Sequence, residues 1–363
     1  MRILHITPNF SRDGIKSYVK FINNNFTESH EFVSFSKQEN IPSDMKIYRN
    51  IKYENSEDFR KIIEGYDKVI FHSLFPIKSL HKIFLLTHPK QMKKIFWVAW
   101  GGDLYVDPCK KLSLRGGLSD IVAYLFKRNV KNFIGIFPPD CEYYKNKYNR
   151  NATIFYASYV GGLDNSLYKK SLRLISLEEK RNNNTCINIQ VGHSSARILN
   201  HIEVLENLVK YKDENIKIYI PLSYGDEAYG NRVEEKAKLL FGNKAICMRE
   251  MMNREDYQDF LSTMDIAIFN TPRQIGLGNI YPLLYMEKKI YLPAGSVMYD
   301  YYKSLEINVC DYKQLQKMEF TSFLEPKDMT NAKQYVVSNA INRDKYIEMW
   351  NKVFDSTLDE AKY

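Results

Sequence analysis

A glycine turn with hydroxyls and an arginine at the mouth of a helix can hold an anion. Residues 189–197, Ile-Gln-Val-Gly-His-Ser-Ser-Ala-Arg, place such a turn after an apolar, β-branched run. Ile202, Leu205, Leu208 and Val209 follow at helical spacing. The geometry presents backbone N–H groups and the positive end of a helix dipole, and Arg197 adds bidentate reach to a phosphate. An ordinary strand-to-helix connection capped by serine has the same outline. The balance shifts because a second turn, Arg273-Gln274-Ile275-Gly276-Leu277-Gly278-Asn279, recurs two or three βα units later.

Two further stretches place acid–base groups at strand ends. Trp97–Tyr105 carries Gly101-Gly102-Asp103, which sets a carboxylate on a flexible turn, either as general base toward a hydroxyl or as a cap of the turn. Phe71-His72-Ser73 ends another run with an imidazole, and Asp13 on the first loop is an outlying third candidate. Taken singly, His72, His193 and His201 read as structural, and His5 as core. Tyr224, after a later strand, is placed to stack on a nucleotide base, although one of 27 tyrosines is more often packing.

The elements that must position these residues alternate. Strands are expected at 2–7, 31–35, 68–72, 94–98, 133–137 and 153–156, with helices at 14–25, 57–65 and 77–87. A second series has strands at 186–191, 215–220, 244–248, 265–269 and 289–292, with helices near 200–211, 227–241, 253–262 and 278–286. The fold class read from this is α/β, two doubly wound Rossmann-like domains facing a central cleft, the GT-B layout. The expected division is residues 1–160, a linker at 161–184, a ligand-binding domain at 185–335, and a helical segment at 336–363. In that last segment Trp350 and Phe354 are docking residues toward the first domain.

The chain has 363 residues and a net charge of +9, unevenly placed. Residues 1–184 hold 30 Lys+Arg against 18 Asp+Glu, a balance of +12, and residues 185–363 hold 22 against 25, a balance of −3. An anionic membrane surface or anionic acceptor fits that asymmetry, and no nucleic-acid-binding motif accompanies it. The segment Arg115–Lys131 has Leu118, Ile121, Val122, Leu125 and Phe126 at helical spacing, followed by Lys127, Arg128 and Lys131. It reads as a core helix with a basic end or as an interfacial helix on lipid, a surface that Lys78, Lys82, Lys90, Lys93 and Lys94 extend. The N-terminus reads as a strand rather than a signal peptide, and the five cysteines lack metal-ligand spacing.

Several blocks together carry a family resemblance: Phe71–Phe75, Trp97–Tyr105, Val191–His201 with Glu203, Pro221–Tyr229 and Arg273–Gly278. In that order and spacing the chain resembles the TDP-N-acetylfucosamine:lipid II N-acetylfucosaminyltransferases of enterobacterial common antigen synthesis. The family's Gly-Asn-Ser-Gly-Asp-Arg run stands here as Gly192-His193-Ser194-Ser195-Ala196-Arg197. The resemblance implies a metal-independent, cofactor-free glycosyltransferase on the cytoplasmic face of the bacterial inner membrane. It would use a dTDP-linked deoxyamino sugar and a polyprenyl-diphosphate-linked saccharide acceptor. Donor binding then falls to Gly192, Ser194, Ser195, Arg197, His201, Tyr224, Arg273, Gln274, Gly276, Gly278 and Asn279, and catalysis to Asp103 with His72. Lys127, Arg128 and Lys131 would face the membrane and acceptor. The competing classes are an epimerase or hydrolase of the same fold, a non-catalytic nucleotide-sugar-binding protein, and a nucleic-acid binder.

Overall fold

The computed structural model describes residues 1–8, 13–34, 48–50, 56–105, 114–159, 177–183 and 185–357. Most of the expected linker therefore lies outside the described residues. The chain forms two compact units, Met1–Gly161 with Arg343–Tyr363, and Gly162–Asn342.

The first unit is built on a seven-stranded parallel sheet. Its strands are β1 (Arg2–Thr7), β2 (Ser29–Ser34), β3 (Tyr48–Asn50), β4 (Lys68–His72), β5 (Ile95–Ala99), β6 (Asn132–Gly135) and β7 (Thr153–Tyr156). They lie in the order β3-β2-β1-β4-β5-β6-β7. Lys-Val-Ile-Phe-His and Ile-Phe-Trp-Val-Ala are buried along their whole length, as a sheet covered on both faces requires. The order reverses between β1 and β4, which pair with His5 opposite Ile70. At such a switch point the loops leave in opposite directions and open a crevice above the strand C-termini.

The second unit repeats the plan with β8 (Ile187–Val191), β9 (Ile216–Pro221), β10 (Ala245–Met248), β11 (Ile266–Ile268), β12 (Lys289–Leu292) and β13 (Cys310–Asp311). Their order is β10-β9-β8-β11-β12-β13, again parallel, with the switch point between β8 and β11. Ile189, Val191, Ile218, Ile220, Ile266 and Ile268 form the centre of its core with Val204, Leu205 and Val233 from the covering helices. Two doubly wound units are thus present, as the alternation implied.

The structure adds elements that periodicity did not give: β3, β13 and a helix at Pro138–Lys147, whose two prolines start it at its first turn. The C-terminal division also moves. The helix Thr330–Asn339 buries Ala332 and Val336 and stays with the second unit, so the change of unit falls at Asn342 rather than at 335. The next helix, Arg343–Asp355, buries Tyr346, Met349, Trp350, Val353 and Phe354, an i, i+3, i+4, i+7, i+8 stripe that joins the core of the first unit. Its end is held from the sheet: the buried Lys68 ammonium donates to Val353 O at 2.9 Å, Phe354 O at 2.5 Å and Ser356 Oγ at 3.0 Å. A cation at the negative end of a helix dipole also satisfies carbonyls that have no partner within the helix.

Candidate active site

In the second unit the two glycine turns meet at the switch point. Gly192 follows β8 with φ +65°, and a Cβ there would collide with the ring of His201, the first residue of the helix His201–Leu208. Gly276 caps the helix Leu277–Tyr285 with φ +74°, and a Cβ there would come within 2.8 Å of His193 Nδ1. Both positions need a residue without a side chain, for backbone reach and for space. Gln190, a polar residue inside β8, donates through Nε2 to Gly192 O at 2.8 Å and to Asn279 Oδ1 at 3.1 Å, tying one turn to the other. Tyr257 OH donates to the same Asn279 oxygen at 2.6 Å.

Around this junction several buried polar atoms lack a hydrogen-bond partner, Gln190 Oε1, His193 Nδ1 and Gln274 Oε1, and the His201 ring has only the Ser194 backbone as a partner. Unmet polar groups in a protein interior are costly, so their concentration at a switch point marks a place where a polar ligand would complete them. Burial and then the nearby Arg273 guanidinium push the His193 imidazole down to about 4, and burial chiefly brings His201 to about 3. Both rings are therefore neutral at pH 7 and can donate or accept without desolvating a charge.

Gly192, Ser194, His201, Arg273, Gln274, Gly276 and Asn279 fall in this region, and Gly278 is exposed on the first turn of its helix. Ser195 instead closes a seam: its N–H and Oγ both donate to Tyr224 O at 2.8 Å, and it bridges to Gly225. Arg197 lies on the same flank, 47% exposed, with Nε donating to Asp226 Oδ2 at 2.6 Å. Tyr224, half-exposed at 51%, presents an open ring beside His193. Sequence reasoning passed over Gln190, His193 and Tyr257 as site residues. Gln190 was the detectable one, an amide set between Ile189 and Val191 in an apolar, β-branched run.

In the first unit Asp103 is buried, with both carboxylate oxygens engaged. Its Oδ2 accepts from Leu74 N–H and Trp97 Nε1–H and its Oδ1 from Trp100 N–H, all at 2.8 Å. Burial pushes its carboxyl up, against those three donors and the Lys127 ammonium. The carboxylate braces the loops after β4 and β5 against each other. The Asp13 side chain lies outside what the structure describes, although its backbone starts the helix Asp13–Asn25.

His72 is fully buried at the end of β4. Its Nδ1 lies 2.6 Å from Tyr159 OH and its Nε2 lies 3.0 Å from His5 Nδ1. The next residue, Ser73, takes φ 72° without being glycine, backbone strain of the kind that collects at functional loops. Trp100 Nε1 donates to Tyr159 OH at 2.8 Å, which joins the ends of β4, β5 and β7.

The three expected membrane-facing cations separate. Lys127 turns inward, donating to Leu104 O at 3.4 Å with its ammonium over the rings of Trp97 and Tyr148, while Arg128 and Lys131 are exposed. The helix Leu114–Asn129 packs beside Ser79–Thr87, linked by Ser79 Oγ and Ser119 Oγ at 3.1 Å. Together they leave Phe75, Leu80, Ile83, Leu118, Ile121, Tyr124 and Leu125 exposed. Of the lysines expected to extend this surface, Lys78, Lys90 and Lys93 are exposed, whereas Lys82 and Lys94 are half-buried. No described helix is long and apolar enough to cross a membrane.

Solved structures share the architecture at low identity. A glycosyltransferase from Rickettsia africae matches with TM-score 0.66 at 15% identity, covering 98% of this chain and 99% of that one. HepE from Anabaena, solved with UDP and glucose, matches with TM-score 0.69 at 9% identity, covering 98% and 100%. WaaG, a glycosyltransferase of lipopolysaccharide biosynthesis, matches with TM-score 0.63 at 12% identity, covering 98% and 100%. These likenesses show the fold, that of the GT-B glycosyltransferases. The model of one sequence family matches residues 20–294, well over two thirds of the chain. The protein is a glycosyltransferase, and it belongs to the 4-alpha-L-fucosyltransferase family, glycosyl transferase group 56.

Proposed function

We propose that the enzyme moves a deoxyamino sugar, 4-acetamido-4,6-dideoxygalactose or a close relative, from a dTDP donor to a polyprenyl-diphosphate-linked saccharide at an anionic membrane surface. The observation that carries the donor half is the junction of Gly192 and Gly276, where the buried Gln190 and Gln274 amide oxygens and His193 Nδ1 have no partner among the described residues. HepE, of the same fold, was solved with UDP-glucose, which supports a nucleotide sugar as donor here. The diphosphate is assigned to the two glycine turns, with Arg273 and Arg197 as its cations and Tyr224 beside the base. Charge building on the departing diphosphate is stabilised by donors already in place.

The acceptor half rests on the first unit. Its charge excess and the apolar face beside Arg128 and Lys131 suit a lipid-linked acceptor on an anionic leaflet. Asp103 holds the turn, and the base role is assigned to His72 acting through the Tyr159 hydroxyl 2.6 Å from its Nδ1, the imidazole being neutral at pH 7 because burial brings it down to about 3.

A thermal-shift panel of dTDP, UDP, GDP and ADP with their sugars tests the donor. Ligand binding to the native state alone raises the melting temperature with concentration over Kd. The expected outcome is the largest shift with dTDP and its amino sugars. Equal shifts across all four bases would overturn the donor assignment.

A further inference from the structure

Outside the donor region, the least expected feature is a line of three imidazoles through the first unit. His72 Nε2 lies 3.0 Å from His5 Nδ1, and His5 Nε2 lies 3.0 Å from His30 Nδ1. Each ring therefore bonds the next through opposite nitrogens. The line starts at Tyr159 OH, 2.6 Å from His72 Nδ1, at the C-terminal edge of the sheet. It ends at His30 Nε2, 3.7 Å from the partly exposed Glu28 carboxylate, at the opposite edge where β2 begins.

The surroundings keep the line dry and in register. His5 stacks on Phe32 at 4.4 Å and on His72 at 5.3 Å, and Trp350 and Phe354 of the C-terminal helix cover His72 and His30. All three rings are buried. Packing alone would be served by apolar rings, which carry no desolvation cost. The titratable and charged neighbours are Tyr18 from the helix Asp13–Asn25, Tyr159, Glu28, the Lys68 ammonium that interacts with Glu28, and Asp103, which interacts with Tyr159. Burial, with the mutual repulsion of neighbouring rings at His5, drives all three imidazoles below their ordinary range, so none holds a charge at pH 7.

The hydrogen bonds also have a direction. Trp100 donates into the Tyr159 oxygen, leaving the phenol O–H to donate to His72 Nδ1. A neutral imidazole that accepts at Nδ1 carries its proton on Nε2. His72 then donates to His5, His5 to His30, and His30 points its Nε2–H at Glu28.

We propose that Tyr159, His72, His5 and His30 form a proton relay that carries the acceptor hydroxyl's proton to Glu28 during glycosyl transfer. The relay rests on the transferase reading above. As the acceptor oxygen bonds to the anomeric carbon, the sugar–phosphate bond breaks and its electron pair leaves with the diphosphate. The acceptor's proton passes to the Tyr159 oxygen while the phenol's own proton moves to His72 Nδ1. His72 gives its Nε2 proton to His5, His5 gives its own to His30, and His30 releases one to Glu28, whose partly exposed carboxylate closes the 3.7 Å gap for the last hop. Every ring exchanges one tautomer for the other and ends uncharged. At product release the parked proton returns along the line and departs with the products, restoring the starting tautomers. Tyr159 is the group that meets the acceptor, and His5 and His30 act through it as positioning residues.

Two measurements on the full chain decide the matter. In ¹⁵N-histidine-labelled protein at pH 7, His72, His5 and His30 should all be neutral Nε2–H tautomers, with N–H···N couplings across both ring-to-ring bonds. A mixed set of tautomers, or a charged ring, overturns the relay whatever the substrate. His5→Phe keeps a ring stacked on Phe32 but interrupts the line. Transfer by this variant, from the nucleotide sugar giving the largest thermal shift, should show kcat at least tenfold lower with donor KM unchanged. Glu28→Gln, at the partly exposed end where packing is least affected, should lower kcat in the same way. Wild-type transfer with undiminished kcat in both variants overturns the relay, whereas a wild-type protein that transfers from no nucleotide sugar overturns the transferase assignment itself.

Discussion

At the scale of single residues, the informative contrast is between Asp103 and Arg273. Asp103→Asn would turn an amide N–H₂ toward backbone and indole N–H groups. Loss of hydrogen bonds to a charged acceptor at a buried site costs about 1.5–3 kcal/mol. The expected result is a lower urea midpoint with donor affinity unchanged. An unaltered midpoint combined with a kcat loss of about 10²-fold or more would return the base role to Asp103. Arg273 sits close enough to His193 to disfavour a charge there, whereas Arg197 is engaged with Asp226. Arg273→Ala should therefore weaken dTDP binding by about 1.5–3 kcal/mol if the contact is direct, and Arg197→Ala by less. Calorimetric titration of dTDP gives the comparison, and the reverse order would make Arg197 the principal cation.

At the scale of elements, the alternation of strands and helices was legible because strands buried on both faces leave unbroken apolar runs. The two glycine turns were legible for a related reason: positive φ and close approach demand glycine at Gly192 and Gly276. The histidine line was not. His5, His30 and His72 lie on three different strands, and only the register of β1 between β2 and β4 brings them together. The surroundings of Asp103 were not legible either, because a carboxylate after two glycines has one appearance whether it faces a substrate or the loop's own N–H groups.

The exposed helix pair makes a separate prediction. Leu118 and Ile121 are 71% and 57% exposed beside Arg128. Replacing both by Glu should abolish co-sedimentation with vesicles containing anionic lipid and leave stability in solution nearly unchanged. Undiminished vesicle binding would show that this face is not the one applied to lipid. Trp350 is a core anchor, and Trp350→Ala should cost the first unit about 3–5 kcal/mol, the usual range for a buried large aromatic. Denaturation followed by near-ultraviolet circular dichroism reports it.

At the scale of the whole molecule, buried neutral imidazoles make stability depend on acidity. His30 and His193 fall to about 4, His72 and His201 to about 3, and His5 also lies well below its ordinary value. In the unfolded chain each takes up a proton near pH 6.5, whereas in the native state it does not. The unfolded state therefore binds more protons below that pH. Stability is fully present above about pH 6.5 and is lost as pH falls toward 4 and then 3, by up to about 1.4 kcal/mol per pH unit for each ring. Urea midpoints measured from pH 7.5 to 4.5 should fall steeply below 6.5, and a flat profile would contradict the neutral state of these rings.

The helix Arg343–Asp355 belongs to the first unit but is made only after the whole of the second, although the first unit's sheet includes Arg2–Thr7. The whole of Gly162–Asn342 is synthesised in between, which at 5–20 residues per second takes on the order of 10–40 s. The second unit is continuous in sequence and can complete its core during that wait. The first holds a finished sheet whose groove over His5, His30 and His72 lacks Trp350 and Phe354. Between those two moments the first unit is the part of a nascent chain most exposed to chaperones and proteases, and it closes only after the unit inserted into its sequence is complete.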